Sequence, residues 1–108
     1  MTDLTTTFSA LGDPTRFAIV ERLLRDGEQS AGALTRQVAL SAPAVSRHLK
    51  VLREAGIVDQ RVERQKRIYS VRPQALQTVN NWTLNHREFW QTSLDRLEMA
   101  LNEEMKRR

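Results

Sequence analysis

The chain has 108 residues, no cysteine and a formal net charge of +4, which suits one domain with a modest core. The lack of thiols excludes disulfides, thiolate metal sites and cysteine nucleophiles, and agrees with a reducing compartment. No apolar run approaches the roughly 18 residues of a membrane span, and the opening MTDLTTTFSA carries an early acid where a signal peptide would be apolar, so a soluble cytoplasmic protein is expected.

Thr5 to Leu11 reads as a short helix with Phe8 and Leu11 on one side and Gly12 at its end. Asp13-Pro14 is a strong helix start, an acidic cap followed by a proline in the first turn. The helix it opens carries the stripe Phe17, Val20 and Leu24, widened by Ile19 and Leu23, and ends near Asp26-Gly27. Ser30 caps a third helix with Leu34 and Val38 one turn apart, and a fourth begins near Ser41. Short helix, tight turn and second helix is helix-turn-helix spacing.

After Gly56 the apolar period changes to alternation. Ile57 to Glu63 and Arg67 to Val71 read as strands joined by a polar tip, Arg64-Gln65-Lys66, which lacks the glycine that tight hairpins favour. Pro73 ends that region. From about Ala75, the residues Val79, Trp82, His86, Trp90, Leu94, Leu97 and Leu101 recur at threes and fours. This predicts one helix of roughly 30 residues, about 45 Å long, too long for so small a domain to bury, so a second chain is expected to cover part of its stripe. The expected fold is mainly α with a small β-hairpin (α+β), in the order four helices, two strands, one long helix.

Positive charge gathers in the middle of the chain. From Arg36 to Arg72 nine Lys/Arg stand against three acids, a local net of +6, while the remainder nets −2. A polyanion-facing surface would look like this; so would a merely solvated face. At about 100° per residue, the fourth helix turns Val45, Leu49 and Leu52 toward the core. Pro43, Ser46, Arg47, Lys50 and Glu54 fall on the opposite side, with His48 and Ala55 at a flank.

Arg47 can give two parallel hydrogen bonds to a guanine edge or one to phosphate. Ser46 can donate or accept, and Lys50 offers a point charge. Ser41 is the cap, and amides at such an end can receive a phosphate. Pro43, with the small Ala42 and Ala44, allows close approach to bases. His48 reads as a packed or phosphate-touching histidine. Arg61, Arg64, Lys66 and Arg67 bracket the hairpin tip, within reach of a minor groove or a phosphate backbone; a charged tip also guards edge strands from aggregation. Helix-turn-helix followed at once by a basic hairpin favours a winged helix that binds double-stranded DNA.

Three stretches, ALGDPTRFAIVERLL (Ala10 to Leu24), LSAPAVSRHLKVLREAGIV (Leu40 to Val58) and RVERQKRIYSV (Arg61 to Val71), resemble the ArsR/SmtB-type family of bacterial winged-helix repressors. The C-terminal NNWTLNHREFWQTSLDRLEMAL is similar to the tail of a subgroup without the metal-site cysteines, whose members often lie beside genes for START-like proteins. The resemblance implies a homodimer built by the first and last helices. Each copy would place a recognition helix, Ala42 to Ala55, in one half of an inverted repeat, with Asp59 to Val71 as the wing. The dimer stripe maps to Phe8, Leu11, Trp82, Phe89, Trp90, Leu94 and Leu97, with His86 as an interface histidine.

Metal-sensing relatives use cysteines near the recognition helix, or paired histidine and acidic ligands on the last one. Here there is no cysteine and the two histidines, His48 and His86, stand on different helices, so no metal and no other cofactor is expected. The competing reading is a winged helix that binds proteins instead of DNA. A variant responsive to a small molecule, with an effector site among Trp82, Phe89 and Trp90, or to a metal held across the dimer by His86 and its symmetry mate with Glu88 or Asn85, refines the first reading. No catalytic residues are expected, because Ser46 and His48 face different ways on one helix and no glycine-rich phosphate loop is present.

Overall fold

In a computed structural model that describes residues 3–107, the order is α1 (Leu4–Leu11), α2 (Pro14–Asp26), β1 (Gln29–Ser30), α3 (Ala31–Gln37), α4 (Ala42–Glu54), β2 (Val58–Glu63), β3 (Lys66–Val71), α5 (Pro73–Asn85) and α6 (Arg87–Lys106). The chain forms two compact units, Met1–Thr78 and Val79–Arg108. In the first, helices begin where the sequence supplies caps. Asp13 accepts from the Arg16 backbone N–H at 3.0 Å, Ser30 Oγ from that of Ala33 at 3.1 Å, and Ser41 Oγ from that of Ala44 at 3.3 Å. Each satisfies an amide with no partner inside its helix, and a serine cap contributes about 1 kcal/mol.

α4 stops at Ala55-Gly56 for an equally local reason. The Gly56 N–H donates to the Arg53 carbonyl and the Ile57 N–H to the Leu52 carbonyl, both at 3.0 Å, closing the orphan carbonyls of the last turn. Gly56 does this at φ 77°, a left-handed conformation that costs glycine little. Ile57 then drops into the core. Ile19, Leu34, Val45, Leu49, Leu52, Ile57 and Val58 are each under 2% exposed, and burying a side chain of this size contributes roughly 1.5–3 kcal/mol.

The sheet has the order β1-β3-β2 and is antiparallel throughout. The register runs from Val58 opposite Val71 to Glu63 opposite Lys66. Only Arg64 and Gln65 are therefore left in the turn, one residue fewer than the expected tip. β1 is too short to leave an alternating pattern in the sequence; it pairs Gln29 with Tyr69 and Ser30 with Ile68.

Two expectations need correction. The buried face of α2 is Ile19, Val20 and Leu23, whereas Phe17 and Leu24 are 51% and 54% exposed. The buried three span about 100° of the wheel, and Phe17 and Leu24 lie roughly 100° from their centre. In the second unit, the single long helix is interrupted at His86, which has φ −110° and ψ 14°. There the backbone N–H donates to Thr83 O at 3.2 Å, and Nδ1 of the ring donates to Trp82 O at 2.9 Å. The imidazole thus takes the carbonyl that an unbroken helix would give to the His86 amide, and the helix restarts as the Trp90 N–H bonds to His86 O at 3.1 Å.

Candidate nucleic-acid interface

The two faces of α4 separate as the sequence predicts. Val45, Leu49 and Leu52 are buried, while Ser41, Ala42, Pro43, Ser46, Arg47 and Lys50 are exposed. The buried residues seat the helix on the core of the first unit, and the outward ones face solvent. The guanidinium of Arg53, near the far end of α4, bonds to Gln60 of β2 and ties the helix to the wing.

The cations sort into two groups. Arg61 donates from one terminal nitrogen to Glu28 and from the other to Glu63, each at 2.6 Å, and Arg72 lies 3.4 Å from Asp59. The two carboxylates, Glu28 first, hold the Arg61 guanidinium above its ordinary range and so firmly charged. Arg61 is opposite Ile68 in the register, well below the tip, and the structure uses it to brace the residue before β1 to the wing. Arg47, Lys50, Arg64, Lys66 and Arg67 are exposed, as Arg61 is, but among the described residues they form no salt bridge.

Sequence reasoning gave Arg36 no role. It borders a groove of about 360 Å³ together with Ser30, Gly32, Lys66 and Arg67, which adds a fourth cation beside the wing. Its only signal in the sequence was its place at the edge of the basic segment.

The two-residue turn without glycine strains the backbone at the tip. Among the described residues, Arg64 is the non-glycine residue with positive φ, 58°, a conformation that costs an L-residue about 1–2 kcal/mol. Arg64→Gly should therefore raise stability by about 1 kcal/mol in urea unfolding. It should also lower the salt dependence of any DNA binding by about one counterion per protomer.

His48 is half-buried, its Nδ1 lying 3.3 Å from a terminal nitrogen of Arg16 and 3.8 Å from Asp13 Oδ2. The Arg16 backbone N–H, with the Arg16 charge behind it, holds the Asp13 carboxyl below the usual carboxylate range. His48 is thus tied to α2 through a nitrogen that faces away from the exposed side of α4.

In the second unit α6 has no buried residue, and Phe89, Trp90, Leu94 and Leu97 are all exposed. Phe89 and Trp90 meet edge-on, with ring centroids 5.1 Å apart. Phe8 and Trp82 are exposed as well, and Leu11 packs partly against the core of the first unit. There is no cysteine, and among the described residues no group of three or more His, Asp or Glu could hold a metal. Among the described residues, too, no helix is long and apolar enough to cross a membrane.

A family profile described as a helix-turn-helix domain matches residues 11–61. The chain is 36% identical over 78 residues to the transcriptional repressor SdpR of Bacillus subtilis, an alignment covering 72% of this chain and 86% of that one. It is 46% identical over 69 residues to the HTH-type transcriptional regulator Rv2034 of Mycobacterium tuberculosis, covering 64% of each. Among solved structures, an ArsR-like transcriptional regulator from Rhodococcus sp. RHA1 superposes with a TM-score of 0.71 at 26% identity, over 90% of this chain and 91% of that one. The helix-turn-helix, the paired wing strands and these relatives agree: the chain belongs to the ArsR/SmtB-type family of winged-helix, DNA-binding transcriptional regulators.

Proposed function

We propose that this regulator is a homodimeric cytoplasmic repressor, not an enzyme, and that it reads an inverted repeat with α4 while the wing holds the flanking backbone. The observation that carries this reading is the sorting of the cations: Arg47, Lys50, Arg64, Lys66 and Arg67 are exposed without carboxylate partners among the described residues, whereas Arg61 and Arg72 are paired. Arg47 and Ser46 are the readers of base edges. Lys50, Arg64, Lys66, Arg67 and Arg36 take phosphates, which fix register without carrying sequence information. Ser41, Ala42 and Pro43 let the helix end approach the groove closely.

Pairing of two copies is supported by α6, whose apolar side chains Phe89, Trp90, Leu94 and Leu97 are left in solvent. Exposed apolar surface of this extent marks an interaction site. A twofold pair matches a palindromic operator, with half-sites about 34 Å apart or a multiple of that.

The test is binding to a duplex enriched by this protein from a random-sequence library, measured as salt is varied. Five phosphate contacts per protomer, ten for the pair, imply that log K falls with log salt at a slope of about −9. Sedimentation should give the mass of two chains at the same concentrations. A flat salt dependence contradicts the phosphate assignment, and a monomer on the duplex contradicts the pairing.

A further inference from the structure

Arg16 stands where three helices of the first unit meet. Its Nε donates to the Ala10 carbonyl in the last turn of α1 at 2.7 Å, and its backbone N–H donates to the Asp13 cap of α2 at 3.0 Å. Its Nη1 lies 3.3 Å from Nδ1 of His48, in the middle of α4 and 32 positions away in the chain. One side chain therefore links the end of α1, the start of α2 and the helix whose next-door residue is Arg47.

A guanidinium has only donors and does not deprotonate in proteins. In this contact Nδ1 of His48 can only accept, which places the ring's N–H at Nε2. A second proton, on Nδ1, would set two cations 3.3 Å apart. Asp13 Oδ2, 3.8 Å from the same nitrogen, is the carboxylate placed to receive that proton's charge, so the ring would turn its bond from Arg16 to Asp13.

The surrounding elements offer little else. α1 has no ionisable residue, and Arg36 of α3 borders the wing groove. On β2, Asp59 pairs with Arg72, and Arg61 with Glu28 and Glu63. On α4 itself Arg47, Lys50 and Arg53 are exposed, and Glu54 lines the cleft that Arg16 borders.

We infer that Arg16 is a positioning residue for DNA reading: through neutral His48 it holds α4 at the angle that presents Arg47 to bases, and protonation of His48 releases that hold and lowers sequence discrimination. This rests on the DNA-binding reading above. It predicts a loss of specificity on acidification, whereas an added positive charge acting only on phosphates would strengthen binding to all DNA alike.

The experiment compares affinity for the enriched duplex with that for a scrambled duplex of the same composition, at pH 7.5 and 5.5 and constant ionic strength. This interval spans much of the range over which histidines charge. In the unmodified protein the affinity ratio should fall about threefold or more at pH 5.5. In His48→Gln, where an amide oxygen accepts from Arg16 and nothing titrates, the ratio should stay at its pH 7.5 value. Arg16→Met should show the lowered ratio already at pH 7.5.

A readout independent of DNA is the nitrogen NMR spectrum of the two histidines at pH 7.5. His48 should carry its proton on Nε2, and His86, whose Nδ1 donates to the Trp82 carbonyl at 2.9 Å, should carry one on Nδ1. Discrimination that is equal at both pH values, a decline in His48→Gln matching the unmodified protein, or a His48 proton on Nδ1 would each overturn the inference while leaving DNA binding intact. Failure of the unmodified protein to bind any duplex would overturn the DNA-binding reading and this inference with it.

Discussion

Arg47→Ala should reduce affinity for the enriched duplex about 10- to 100-fold, roughly 1–3 kcal/mol, with little change on scrambled DNA. The side chain is exposed on α4 without a salt-bridge partner among the described residues, so its removal leaves no buried group unsatisfied. Stability should accordingly stay within about 0.5 kcal/mol of the unmodified protein. Competition binding against both duplexes, beside thermal unfolding, separates the two effects. Equal loss on both duplexes would make Arg47 a phosphate contact and move sequence reading elsewhere on the helix.

Leu49→Ala, two residues further on, should do the reverse. Leu49 is 0% exposed in the core cluster, and truncating a leucine there costs about 3 kcal/mol through lost transfer energy and the cavity left behind. For a chain of this size that lowers the melting point by roughly 15 °C. At a temperature where the variant is still folded, its preference for the enriched over the scrambled duplex should persist, because the reading face is untouched. Opposite outcomes from neighbouring positions are the signature of a rod anchored by one face and reading with the other. A Leu49→Ala variant as stable as the unmodified chain would mean that α4 is not seated on the core as described.

Much of this was legible in the sequence because the signals were local. Ser41, Pro43 and the Ala55-Gly56 stop bound α4 on their own, and its apolar spacing alone separates Val45, Leu49 and Leu52 from Ser46, Arg47 and Lys50. The wing followed from alternation, and the third and fourth helices from their serine caps. What escaped depends on tertiary partners or on competition for a single atom. Phe17 and Leu24 share a spacing with Val20, but the elements packed on α2 select Ile19 and Leu23 instead. No glycine or proline marks the break at His86; it arises because an imidazole captures a backbone carbonyl.

The sites show the same division. Arg61, Arg64, Lys66 and Arg67 look alike in the chain, and the approach of Glu28, 33 positions away, together with Glu63 separates Arg61 as a brace from three cations that form no salt bridge among the described residues. His48 was legible as a residue at the flank of the helix. Its tie to Arg16 was not, since nothing about the stretch Asp13-Pro14-Thr15-Arg16 beyond its capping acid signals a side chain that reaches into another helix.

Chemical probing of guanine N7 on the enriched duplex reports the major-groove edge itself and so bears on α4 most directly. Bound protein should shield guanines in two tracts related by twofold symmetry, about one helical turn apart or a multiple of it, and the shielding should vanish with Arg47→Ala. A retained complex in which every N7 reacts as it does in free DNA would show that the open side of α4 does not enter the groove.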